Sequence, residues 1–138
     1  MGKISAFDVS AAGLLAQRVR MDAIANNIAN AETTRTPEGG PYRRQQAVFS
    51  LPVEQMGFGE AEIAGPAASI EMEDSPPKMV HDPGHPDADA SGFVAMPNVN
   101  IVEEMVDMIS ATRAYEANLA AINSAKTMAA AALEIGRG

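Results

Sequence analysis

The chain has 138 residues, no cysteine, ten basic and eighteen acidic side chains, and a formal charge of −8. That length allows one modest domain or two small parts sharing a chain, and the missing cysteine excludes thiol catalysis, disulfides and thiolate metal sites. The acidic excess falls on residues 45–98, with nine acidic groups against one basic, which points to a solvated surface there and away from nucleic acid.

The opening stretch MGKISAFDVSAAG lacks the apolar core and cleavage site of a secretory signal, and no later run of about eighteen apolar residues could span a membrane. Phe7, Leu14, Met21 and Ile28 stand seven apart, Ala11 and Ala25 fill intermediate positions, and Arg18 is the one exception. This spacing predicts a helix with a coiled-coil seam, with Ser5 and Asp8 as candidate caps at its start. At Asn26, Asn27 and Asn30 its character changes. Three amides among small apolar residues are poor helix formers without partners; they fit either a fraying end, where Asn is favoured near the C-cap, or a partnered site.

A loop follows, punctuated by Thr36-Pro37, Gly39-Gly40 and Pro41, with Arg35, Arg43 and Arg44 forming a small basic patch. Ala47, Val48, Phe49 and Leu51 predict a short strand. All nine prolines lie between Pro37 and Pro97, so the two ends are free to be long helices and the middle is not. In the middle, Ala61–Ile63, Ser69–Met72, Lys78–Val80 and Gly92–Ala95 are candidate extended segments between turns.

His81, Asp82, His85, Asp87 and Asp89 cluster within nine residues. Imidazole and carboxylate are ligands of zinc and non-haem iron sites, so a small metal-binding protein using His81, His85, Asp87 and Asp89 is one alternative. HDPGHPDAD is also a run of turn formers whose Asp side chains bond nearby backbone without metal. No cofactor and no metal is expected, and no nucleophile, base or phosphate-loop arrangement marks a catalytic site.

From Ile101 the apolar steps alternate between four and three: Ile101, Met105, Met108, Thr112, Tyr115, Leu119, Ile122, Lys126, Ala129, Leu133. Thr112 and Lys126 alone interrupt a seam that predicts a helix from Ile101 to Ile135, about 50 Å long at roughly 1.5 Å per residue. Asn100 with Glu103 has capping-box spacing, and Gly136 sits where a helix stops. Opposite this seam the first half carries Glu103, Asp107 and Arg113, an ordinary solvated face. The second half carries Ala117, Ala121, Met128, Ala131 and Ile135, which predicts burial by other chains.

ANNIANAETTRTPEGGPYRRQQAVF resembles the N-terminal signature of bacterial flagellar axial proteins (rod and hook), which share an N-N-I-A-N motif closing the first helix. TRTPEGGPYRR, SPPKMVHDPGHPDAD and AMPNVNIVEEMVDMISATRAYEANLAAINSAKTMAAAALEIG resemble the proximal-rod branch of that family, while SIEMEDSPPK departs from its usual wording. The resemblance implies a structural subunit of the basal-body rod, with other rod subunits, copies of itself and the flagellar export apparatus as partners. It also implies export without a cleavable signal, location in the periplasm-spanning rod, and no enzymatic activity; another rod or hook component is the nearest alternative. The expected fold is mainly α with a small β-rich insert. Residues 1–34 and 98–138 form a discontinuous helical domain whose long terminal helices pair as a coiled-coil-like bundle, and residues 35–97 form the proline-rich loop and insert. The expected seam and subunit-interface residues are Phe7, Leu14, Met21, Asn27, Ile28, Asn30, Met105, Met108, Tyr115, Leu119, Ala121, Ile122, Ala131 and Leu133.

Overall fold

The computed structural model describes residues 6–50, 53–56, 60–63 and 67–137; for Ala6 and for residues 53–56 and 60–63 it describes the backbone alone. The expected cap Ser5 and strand residue Leu51 lie outside the described residues. The elements are α1 (Ala6–Ala29), β1 (Gln45–Ser50), β2 (Val53–Met56), β3 (Glu60–Ile63), β4 (Ala67–Met72), β5 (Lys78–His81), β6 (Phe93–Met96) and α2 (Ile101–Ile135). The mainly α architecture with terminal helices around short strands is thus observed. β2 was not anticipated, because Val53-Glu54-Gln55-Met56 is too short and polar to carry a period of its own.

Every strand pairs antiparallel in a two-stranded unit: β1 with β4, β2 with β3, β5 with β6. In sequence the β2–β3 pair nests between β1 and β4. Both β1 and β4 lie against α1. An isolated two-stranded ribbon is marginal in water, so this support from α1 holds it in place.

The helices run antiparallel: Asn27 meets Glu104, Arg20 reaches Asp107 at 3.6 Å, and Gly13 lies beside Asn118. A Cβ at Gly13 would stand 3.1 Å from Asn118 Nδ2. A helix-interior glycine costs about 1 kcal/mol relative to alanine, and here it permits the close approach of α2. The N-cap of α2 is Asn100, whose Oδ1 accepts the Val102 N–H at 3.1 Å. Gly136 ends the helix with φ −74°, still right-handed, so the stop does not use the left-handed cap that glycine usually supplies.

The face of α2 turned inward is not the most apolar one. Its covered positions include the row Glu104, Met108, Ala111, Tyr115, Asn118, Ile122, Ala125, with Asp107, Thr112 and Ala114 partly covered beside it; the row again runs in steps of four and three but is displaced from the expected seam at every second position. On α1 the corresponding set includes Gly13, Ala16, Arg20, Ala23 and Asn27. Small and polar side chains let the two backbones approach; the bulkier Ile101, Met105 and Leu119 are left exposed. The fully buried apolar set among the described residues is correspondingly thin: Ala16, Ala23, Ile24, Val94 and Ala111.

Candidate functional site

The most enclosed polar groups lie where α1, the following loop, β1 and α2 converge. Asn27 is wholly buried and Glu104 is 1% exposed. α1 brings Asn27 to the start of β1, because the loop folds back on itself: Thr36 and Gly40 close its tip, and the Tyr42 N–H donates to Thr33 O at 2.9 Å. Gly39 and Gly40 have φ of 90° and 79°, the left-handed region that glycine enters without steric cost.

Asn27 then behaves as a surrogate strand residue. Its Oδ1 accepts the Gln45 N–H at 2.8 Å and its Nδ2 donates to Gln45 O at 2.8 Å, pairing with β1 as a neighbouring strand would. The same amide accepts from the Tyr42 hydroxyl at 3.0 Å and donates to Glu104 Oε2 at 3.0 Å. Both donors and both lone pairs are used, which is what allows an amide to be buried at all. Asn26 and Asn30 act differently. Asn26 reaches Gln45 Oε1 at 3.3 Å, and Asn30 folds back onto Asn26 O at 2.9 Å, finishing the helix.

Arg44 completes the node. Its Nε donates to Glu104 Oε1 at 2.6 Å and its Nη1 to Glu73 Oε2 at 2.8 Å, with Asp107 at 4.0 Å. Its backbone carbonyl accepts the Glu73 N–H at 2.8 Å, so the residue is held at both ends. Burial alone would lower the Arg44 pKa; the hydrogen bonds and charges of Glu73 and Glu104 outweigh it and raise it, so the guanidinium stays charged. Burial first, and then the Glu104 charge, push the Tyr42 phenol above its usual value, keeping it a donor to Asn27. A carboxylate so deeply enclosed is tolerable only with a hydrogen-bonded cation beside it. The node therefore fixes how α1, β1 and α2 sit against one another.

The remaining basic loop residues are also paired, Arg43 to Asp74 and Arg35 to Asp87, both at 3.2 Å. The anticipated basic patch is thus a set of ion pairs joining the loop to the insert. The His/Asp turn is built by its own backbone. Asp82 accepts from Gly84 N–H, Asp89 from the N–H groups of Ser91 and Phe93, and His85 Nδ1 from Asp87 N–H. Asp87 also accepts from the Thr34 hydroxyl at 2.8 Å, clasping the β5–β6 hairpin to the first loop. His81 packs edge-on against Phe93 with ring centroids 5.0 Å apart. Among the described residues no three His, Asp or Glu side chains are grouped to hold a metal.

Of the expected interface residues, Asn27 is buried. Leu14, Met21, Ile28, Asn30, Met108, Tyr115 and Ile122 are partly covered, and Phe7, Met105, Leu119, Ala121, Ala131 and Leu133 are exposed. Sequence reasoning missed Tyr42, Arg44, Gln45 and Glu104 as site residues. A signal existed for Glu104: it begins an unbroken row of four-three steps that runs beside the more apolar one. Val102, Met105, Val106 and Ile109 are all exposed, so the first half of α2 presents an apolar outer side instead of the anticipated solvated one.

Residues 7–35 match the family model described as flagella basal body rod protein, and residues 90–135 match flagellar basal body rod FlgEFG protein C-terminal. The matched segments coincide with α1 and its loop, and with β6 and α2. Over the full length of both chains, the sequence is 49% identical to the flagellar basal-body rod protein FlgC of Borreliella burgdorferi. It is 43% identical to that of Bacillus subtilis and 39% to that of Salmonella typhimurium, each over 99% of this chain and all of the relative. With such identity from end to end, the chain belongs to the FlgC family of flagellar basal-body rod proteins.

Proposed function

We propose that the chain is a structural subunit of the flagellar basal-body rod and that it polymerises through its two terminal helices. The observation carrying this reading is uncovered surface. One copy exposes 9803 Å², whereas a compact monomer of 14.4 kDa is expected to expose about 6,800 Å². The difference is of the size that obligate interfaces bury, roughly 2,000–5,000 Å². Part of it is helix surface: every residue from Lys126 to Arg137 is exposed.

In this reading residues 1–34 and 98–138 act as one axial body, residues 35–97 as an insert clasped to it, and neighbours are other rod subunits and further copies. Phe7, Leu14, Met21, Met105, Leu119, Ala121, Ala131 and Leu133 contribute to contacts between subunits, while Asn27 acts inside the chain. Delivery through the flagellar export apparatus in unfolded form is consistent with the thin apolar core and the absence of cysteine. Ala121→Glu and Ala131→Glu test the polymer reading. A carboxylate in a helix-helix contact has no water to reach and costs several kcal/mol, so both should block incorporation into rods while expression persists. Ser110→Glu, on the polar side of α2, should be milder. Normal swimming with both alanine substitutions would overturn the reading.

A further inference from the structure

The outer side of α2 carries two apolar patches with the same spacing at opposite ends. Near the start are Val102, Met105, Val106 and Ile109, exposed to between 55% and 69%; near the end are Met128, Ala131, Ala132 and Ile135. Both follow the i, i+3, i+4, i+7 rule that puts four side chains on one side of a helix. The first patch lies away from Glu104 and Ala111, which face α1, and neither α1 nor the ribbon covers it. The second lies past the described part of α1, on an overhang of ten exposed residues from Lys126 to Ile135 that extends about 15 Å at 1.5 Å per residue.

Resting on the polymer reading above, we infer that the first patch receives the overhanging end of α2 from a second copy of this chain. The two patches are complementary in size. Large side chains occupy all four positions of the first, whereas the second is large at its ends and alanine at its centre. Met105 and Val106 therefore fit over Ala131 and Ala132, between Met128 and Ile135, as ridges enter grooves. Charge agrees at the flank. Glu103 and Asp107 line the same shallow groove as Val102 and Val106, and Arg137 follows the overhang, although Glu134 lies beside it. Because the contact joins different surfaces of two copies, it leaves each partner with a free end and does not close into a two-fold dimer.

The chain has no native cysteine, so paired cysteines report this contact in the full-length protein. Positions 106 and 132 lie about 39 Å apart along one helix, far beyond the Cα separation of roughly 4.4–6.8 Å that a disulfide allows. Any bond between them must join two copies. Under mild oxidation, Val106→Cys with Ala132→Cys should give a ladder of crosslinked multimers. Val106→Cys with Lys126→Cys, which moves the second thiol to the other side of the overhang, should not. Adding Val102→Glu and Ile109→Glu should lower the yield about tenfold or more, because the new carboxylates would be seated without partners. Their helical circular dichroism should be unchanged, since both sites are exposed in the single copy. Glu103→Lys should lower the yield, and Arg137→Glu should restore it. A ladder no stronger than the Lys126 control, or one that survives the two glutamates, overturns the inference. If the crosslink fails while the chain is still found in purified basal bodies, this contact alone is wrong; if the chain is absent from basal bodies, the polymer reading falls with it.

Discussion

Arg44 shows how one side chain decides the fate of several others. Glu104 is nearly inaccessible and Arg44 is its hydrogen-bonded cation. Removing one partner of an enclosed ion pair leaves the other charge uncompensated, at about 3–5 kcal/mol. Arg44→Met is therefore expected to lower the unfolding free energy from denaturant titration by that amount, whereas Arg43→Met, whose partner Asp74 is fully exposed, should change it by less than about 0.5 kcal/mol. Tyr42 supplies a pH signature. Its pKa is raised in the fold, so its contribution to stability is fully present below the ordinary phenol value of about 10 and is lost as pH rises through the folded value. The protein should destabilise at alkaline pH partly through this group. Tyr42→Phe should be less stable near neutrality, having lost the bond to Asn27, and should show a flatter alkaline decline in thermal-melt profiles.

At the scale of elements, the β5–β6 turn tests whether histidine identity matters. His85 contributes an acceptor to Asp87 N–H at 3.1 Å, a role that the Oδ1 of asparagine can take over. His81→Asn together with His85→Asn should leave rod incorporation and swimming close to normal. Loss of motility accompanied by loss of a bound metal would overturn the turn-only account. Gly92 in the same hairpin should tolerate far less: its φ is 78°, and a Cβ would stand 3.0 Å from Pro83 Cγ. These elements differed in how legible they were from sequence. The bounds of α2 from Ile101 to Ile135 could be read from a periodicity without a slip, and five of the six strands as short extended segments set off by prolines and turns. The orientation of α2 about its own axis could not, because apolarity ranks Met105 and Leu119 above Glu104 and Asn118. The packing instead rewards small side chains and a paired carboxylate. Arg44 and Tyr42 read as loop residues because their partners lie 60 and 15 residues away in sequence, distances that no local pattern spans.

For the whole molecule, the relevant quantity is how little of it is interior. Among the described residues, five buried non-proline apolar side chains, three of them alanine, give limited compensation for the entropy of ordering a helix as long as α2. Most helical stability in proteins comes from packing an apolar face rather than from intrinsic propensity. Hydrogen exchange on a dilute monomer should therefore show weak protection of residues 6–29 and 101–135, weakest beyond Ala125, and strong protection on assembly. Uniformly slow exchange of both helices in a demonstrated monomer would mean that they satisfy each other.

The small side chains between α1 and α2 also have a mechanical meaning. Where Gly13, Ala16, Ala23 and Ala111 line it, the interface is smooth and offers little friction against one helix slipping along the other by a turn of about 5.4 Å, so resistance falls to the larger Met108, Tyr115 and Ile122 on that face and to the polar contacts. The Asn27–Glu104–Arg44 node interrupts that smoothness at one end, much as a key in its slot stops a sleeve sliding on a shaft. A slip would strand a charge and an amide away from their partners, so the pair should resist a load along its axis up to a threshold and then give way in a single step, without gradual creep.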